Sequence, residues 1–434
     1  MPRCRSLSKP HDPDLSRMLI VFIATGLGFM LLPGTFVGVV SLLKISAAQT
    51  SRVADAGWIQ AHGHAQVFGW LGTFILGIGY YAIPRLRLSA FSPVAAWTTY
   101  GLWTTGVAIR WAVGSWPPAL WRVPFALAGA LELIAVVIFA ASVYLAKPRT
   151  RDDSWRNSVI LITAAGCGFV AAVAVNAWKS FEVARFGSMP AFDFAFDQRY
   201  LVLITWGFVV PFIWGFSSRW IPPLLSLRKT RKALLTPALV VLFSGVVAAM
   251  AGALASSAVL LLFAALTFAI ALRIFEPATK EPKVRGVHPY TPVLIRIAYG
   301  WSIVAAVIAI VSAMRPLPNG YAGAGRHALT VGFFAAAVFT IGPRVLPAFF
   351  SVRRLWSTGL MAISLVLLNA GCAIRVVSQI LAYEGISATA WKSLPLSAIV
   401  EMTAVTLFAV NMLMTLTTGS PLEVHLESLK EREA

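Results

Sequence analysis

The stretch from His62 to Ile83 is an apolar run of about 22 residues that ends at Pro84-Arg85. As a helix it measures roughly 33 Å, enough to cross a bilayer. Runs of this kind recur along the chain. Twelve spans are predicted, near 18–43, 62–83, 90–113, 122–146, 158–178, 199–219, 233–251, 253–273, 293–314, 327–346, 357–383 and 393–417. A tight turn around Ala251-Gly252 separates the seventh from the eighth. Pro33 and Pro211 lie inside spans and are expected to kink them. With 58% hydrophobic and 12% charged residues, the chain is far from the roughly 25% charge of soluble domains. The expected fold is all-α, a polytopic membrane protein of about twelve transmembrane helices. Its parts are a tail 1–17, a membrane domain 18–418 and a charged tail 419–434.

A net charge of +19 could suggest nucleic acid, but the basic residues sit in short loops between apolar runs. There they report topology and contact with anionic membrane lipid. The side of the N-terminus carries 24 Lys and Arg and the opposite side 10, with Arg296 and Arg375 inside spans. Both termini are therefore expected to be cytoplasmic, in the inner membrane of a bacterium. Cys4, Cys167 and Cys372 form no C-x-x-C-H motif and no zinc pair, so any haem would be held noncovalently.

This topology brings His62, His64 and His327 to one depth near the outer face, on spans two and ten. His11, His288 and His425 fall in tails and a loop and read as solvated. His62 shares a helix face with Gln66, Gly69, Thr73, Gly77 and Tyr80, a small or polar stripe that another helix or a flat cofactor can approach. His64 stands about 200° further round an ideal helix, so it joins His62 only through an irregular first turn. A six-coordinate b-type haem needs an imidazole on each face and apolar walls. His62 and His327 supply the pair, and Phe68, Trp70, Phe74, Phe333 and Phe334 are candidate walls. Copper is the other occupant that imidazole suits, with His62, His64 and His327 as its ligands. The bland alternative is three interfacial histidines bonded to headgroups or loops.

Ionisable groups inside a bilayer are costly and mark function or pairing. Arg375 and Arg110 are candidate clamps for the carboxylates of a haem, and Glu132 and Glu401 a candidate proton path. The alternative is a structural pair between Arg375 and Glu401. Span six opens with Arg199-Tyr200 and exits through Arg219-Trp220-Ile221-Pro222. Span ten opens with Arg326-His327 and exits through Arg344-Val345-Leu346-Pro347, 125 residues on. Three repeated four-helix units would produce this; so would the habit of ending membrane helices with Arg and Pro.

With these residues in view the chain resembles the NnrS family of haem- and copper-containing membrane proteins. The resemblance rests on His62-Gly63-His64 with Phe68-Gly69, and on His327-Ala328-Leu329-Thr330-Val331-Gly332. Arg156-Asn157, Arg219 with Pro222, Ala298-Tyr299-Gly300-Trp301 and Ile374-Arg375-Val376 support it. One departure is Ala65, where the family usually has Glu. The resemblance implies a role in nitric oxide response or tolerance, with nitric oxide or a redox donor as partner and no nucleic acid. The family is similar in helix count to the catalytic subunit of haem–copper oxidases, which places histidines on spans two, six, seven and ten. Here residues 199–251 contain none, so the usual dinuclear centre of an oxidase or nitric oxide reductase is not expected. The competing class is a membrane transporter or chaperone for copper, haem or a small solute.

Overall fold

The computed structural model describes residues 13–87, 92–144, 156–284, 286–316, 319–349 and 355–418. Twelve long helices account for it: α1 (13–48), α2 (56–87), α3 (Pro93–Ser115), α4 (Arg122–Tyr144), α5 (Arg156–Phe186) and α6 (194–224) in the first half. They are followed by α7 (Leu235–Met250), α8 (Leu254–Leu272), α9 (Thr291–Ala313), α10 (320–349), α11 (Thr358–Tyr383) and α12 (Ala390–Thr418). No strand occurs among the described residues. Eleven of the twelve are long and apolar enough to cross a membrane. The other, α3, carries Thr98, Thr99, Tyr100, Thr104, Thr105 and Arg110 among its apolar residues. The all-α, twelve-helix expectation holds, and the tails 1–12 and 419–434 lie outside the described residues.

Three helices form the centre. In their most apolar windows α2, α6 and α10 are 78%, 72% and 67% buried inside the protein, whereas the other eight membrane-length spans are 39–44% buried and turn their remaining surface outward. The three central helices touch pairwise. Trp70 of α2 meets Phe339 of α10 edge to face at 6.3 Å. Arg326 of α10 donates to Gln198 of α6 at 2.7 Å. The middle turns of α2 and α6 pack directly. The outer helices pack around them, and α12 returns onto α1 to close the bundle.

The central helices begin earlier than hydropathy indicates. α2 starts at Ala56 under an Asp55 cap whose Oδ1 accepts from the Trp58 N–H at 2.9 Å. α10 starts at Gly320 under an Asn319 cap that accepts from Ala322. His62 and His327 therefore lie one to two turns inside their helices and not at the first residue. The expected irregular first turn is regular α-helix; the irregularity follows it. Each central helix contains a π-helical segment: Ala65–Gly72, Leu203–Val209 and Ala328–Ala335. A fourth, Met30–Phe36, lies in α1 around Pro33. Proline explains two of the four. Pro33 has no N–H for the Phe29 carbonyl, and Pro211 has none for the Gly207 carbonyl, so the i→i−4 ladder cannot run through.

The π-segments reveal a threefold repeat. Each central segment has glycine as its fifth residue and a buried aromatic next: Gly69-Trp70, Gly207-Phe208 and Gly332-Phe333. A proline stands 15 residues after each glycine, at Pro84, Pro222 and Pro347. The following helices repeat a second contact. A Cβ on Gly106 of α3 would lie 2.8 Å from Glu132 Cγ of α4, and one on Gly371 of α11 2.7 Å from Glu401 Cγ of α12. One on Gly245 of α7 would lie 3.0 Å from Leu261 of α8. Absent side chains at these glycines let each helix pair close. The units are thus α1–α4, α5–α8 and α9–α12.

Candidate functional site

His62 faces α1. Its Nδ1 lies 2.7 Å from the Gly34 carbonyl oxygen, and the approach needs Gly38, whose Cβ would stand 2.8 Å from the ring. A carbonyl only accepts, so Nδ1 carries the proton and Nε2 keeps its lone pair. His327 repeats this chemistry within its own helix, Nδ1 donating to the Gly323 carbonyl at 3.1 Å. Both rings lie deep in the bundle yet stay half-buried, so they border a cleft and not packed protein. His62, His327 and Arg375 are close enough for their charges to interact.

The rest of the cleft comes from α11 and α12. Arg375 is 6% exposed and faces the bundle, and its Nε and Nη1 have no hydrogen-bond partner. Gln379 Oε1 and Glu401 Oε1 are likewise buried without partners. Arg375 and Glu401 interact through their charges, but no ion pair joins them among the described residues. Tyr383 bonds Arg375, and Cys372 Sγ lies 3.7 Å from the His327 carbonyl. Arg326 stands beside His327 and interacts with Asp197 and Arg375. Its role is not legible in sequence, where it reads as one of many helix-end arginines.

His64 points to the other side of α2. Its Nε2 is 2.7 Å from Glu132 Oε1 of α4, and Glu132 Oε2 accepts from Asn176 Nδ2 of α5 at 2.8 Å. All three residues are fully enclosed. Phe68 caps the His64 ring edge on at 4.7 Å and so belongs here, away from the His62 cleft. Arg110 belongs here too. It donates to Pro190 and Gln60 at 3.4 and 3.5 Å and lies 4.2 Å above the Phe125 ring. Its charge interacts with Glu132 and Tyr200. The structure therefore does not bring Arg110 or His64 to the His62–His327 cleft. No three His, Cys, Asp or Glu residues stand together as a metal-ion cluster among the described residues.

The segment that covers Arg110 is held from outside the spans. Asp193 caps α6 through the Phe196 N–H at 2.9 Å and meets Lys179 at 3.2 Å. Burial pushes its carboxyl up, but the Phe196 N–H and the Lys179 ammonium outweigh this and hold it below the usual value of 3.8. Arg296, also inside a predicted span, is structural. Its guanidinium donates to the carbonyls of Ile274, Pro292 and Glu276 and ties the α8–α9 connection to α9. Ala65 is fully buried, and the neighbouring Gln66 donates to Thr35 of α1 at 3.0 Å.

Among curated proteins none matches the chain at a significant level. The family described as NnrS protein matches residues 19–419, from the first helix to the end of the last. With twelve helices in place and the histidine motifs on the central ones, the chain belongs to the NnrS family.

Proposed function

We propose that this membrane protein holds one b-type haem in the cleft between α2 and α10, with His62 and His327 as its axial ligands. The observation that carries the reading is the paired tautomer: each imidazole spends its Nδ1–H on a backbone carbonyl and keeps Nε2 as a lone-pair donor, in two rings close enough for their charges to interact. This is the usual arrangement of a metal-bound histidine, whose other nitrogen is anchored by an acceptor. Arg375, with two unpaired N–H groups, and Arg326 beside it fit the carboxylates of such a group. Trp70, Phe333 and Phe334, all buried around α2 and α10, supply apolar surface. When bound between two imidazoles, a haem would supply a redox-active iron for electron transfer. The chain's own residues orient the imidazoles and place cationic groups at the carboxylates.

The reading places the protein in nitric oxide response or tolerance, in a bacterial inner membrane. Both termini are cytoplasmic and the cleft lies near the outer face, from the distribution of Lys and Arg. The test is the absorption spectrum of the purified protein with a haem assay. One haem per chain with a low-spin, six-coordinate spectrum is expected, lost in His62→Ala and in His327→Ala, whereas His64→Ala keeps the haem. A haem spectrum that survives the double substitution of His62 and His327 refutes the assignment.

A further inference from the structure

The threefold repeat gives the two polar clusters one plan. The residue before the π-segment is His64, Val202 and His327 in the three units. One turn after the glycine that packs on the fourth helix stand Arg110, Ala249 and Arg375, and the residues packed on that glycine are Glu132, Leu261 and Glu401. His64–Arg110–Glu132 and His327–Arg375–Glu401 are therefore copies of one constellation, and the middle unit has apolar residues at all three places. Each copy faces the next unit. The residue three before the π-segment there is Tyr200 opposite the first copy and His62 opposite the last. Tyr200 interacts with Glu132 and Arg110, as His62 does with His327 and Arg375.

The copies differ in one respect. Glu132 takes His64 Nε2 at 2.7 Å, whereas Glu401 leaves His327 Nε2 free and has an oxygen without a partner. We infer that Glu132 is a positioning residue for His62: it locks His64, and through that lock fixes the rotation of the α2 turn that aims His62 at the cleft. The reading of His62 as a haem ligand underlies this role. The physical need for a lock is local. From Ala65 to Gly72 the backbone ladder is π-helical, so the turn carrying both histidines is not held from below by an ordinary α-helix. Side-chain bonds hold it instead: the Asp55 cap, Trp58 Nε1 donating to the Val37 carbonyl, Gln60 paired with the Phe192 backbone, His62 itself on Gly34, and, on the face opposite His62, the buried His64–Glu132–Asn176 bonds. An axial imidazole tolerates little rotation, since one residue of helix is about 100°.

The experiment compares Glu132→Leu, Glu132→Gln and His64→Leu in the full-length protein, each checked for folding by size exclusion and helical content. The first readout is the low-spin electron paramagnetic resonance signal, which reports the orientation of the axial imidazoles. The second is the rate at which diethyl pyrocarbonate modifies His62 in protein made without haem, followed by mass spectrometry. Glu132→Leu should shift the signal or convert part of it to high spin, and change the His62 rate at least several-fold. Glu132→Gln, whose amide oxygen still accepts from His64, should restore most of both. His64→Leu should match Glu132→Leu, and the double variant should add nothing. Wild-type signal and wild-type His62 reactivity in a folded Glu132→Leu protein overturn the inference, as does an effect of Glu132→Leu that His64→Leu does not share. A wild-type protein without haem would sink the haem reading alone, because the His62 modification rate still decides the lock.

Discussion

Gly38→Ala is the sharpest perturbation of the His62 site that leaves every polar group in place. The new Cβ would stand 2.8 Å from His62 Cε1 and 3.1 Å from Nδ1, where ordinary contact begins at 3.4 Å. The ring must retreat by about 0.6 Å, the difference between those limits, or α1 must move away from α2. Either response stretches the 2.7 Å bond from Nδ1 to the Gly34 carbonyl, since that carbonyl lies on the same helix one turn before Gly38. Overpacking of this kind costs about 1–3 kcal/mol. Converted at roughly 1.4 kcal/mol per factor of ten, haem should bind about 5- to 100-fold more weakly. The assay is haem titration of protein made without haem, followed at the Soret band. Gly28→Ala, on the same helix with nothing within 4 Å of its Cβ, is the control and should bind like wild type. Haem affinity of Gly38→Ala within twofold of Gly28→Ala would refute the reasoning that the ring is held against α1.

Three further outcomes are expected. Arg375→Leu should lower haem per chain several-fold in folded protein, with Arg375→Lys between it and wild type, because Arg375 holds two unpaired N–H groups in the cleft; full occupancy in Arg375→Leu would remove it from the site. Gly106→Ala and Gly371→Ala should each cost about 1–3 kcal/mol, read as earlier thermal aggregation in detergent, because each Cβ meets a glutamate Cγ under 3 Å; Gly101→Ala on α3, which meets nothing, should be silent. Asp193, whose carboxyl is held below 3.8, contributes stability that is complete above that value and is lost as pH falls through the lowered one. Proteolysis of the 187–193 segment should therefore speed up on acidification toward pH 3 in wild type and change less in Asp193→Asn, which keeps a cap but not the charge.

Hydropathy located all twelve helices, because nine of them meet lipid and must be apolar along their length. It placed the starts of α2, α6 and α10 at 62, 199 and 327, whereas the helices begin at 56, 194 and 320. Those first turns carry Gln60, Gln198 and Arg326, whose polar groups are bonded within the protein, to Phe192 and to each other, so the boundary signal disappears. The opposed faces of His62 and His64 follow from helical angle alone and are seen. The anchoring of His62 by Gly34 and of His64 by Glu132 is not legible in the same way. It depends on which helices become neighbours, and Glu132 lies 68 residues from its partner. Arg110 and Arg375 look alike in sequence, each an arginine one turn after a glycine in an apolar helix. Only the packing separates them, Arg110 over Phe125 with both terminal nitrogens donating and Nε alone unpaired, Arg375 with both Nε and Nη1 unpaired.

That separation explains why a chain with three similar units offers one open site. In a membrane interior, a buried polar group without a partner costs about 1–3 kcal/mol, and a charged one more. The middle unit avoids the cost with Val202, Ala249 and Leu261. The first unit keeps the polar set and pairs Glu132 at each oxygen, leaving Arg110 Nε and Asn176 Oδ1 as its unmet atoms. The last unit keeps the same set and leaves it unmet at Arg375, Gln379 and Glu401. A protein gains nothing from such a gap by itself, because the preceding unit of the same fold has an apolar replacement. The unmet groups are therefore best accounted for by something that enters the cleft and satisfies them. On the proposed reading it carries a metal for the two imidazole nitrogens and anionic oxygens for the unpaired N–H groups of Arg375.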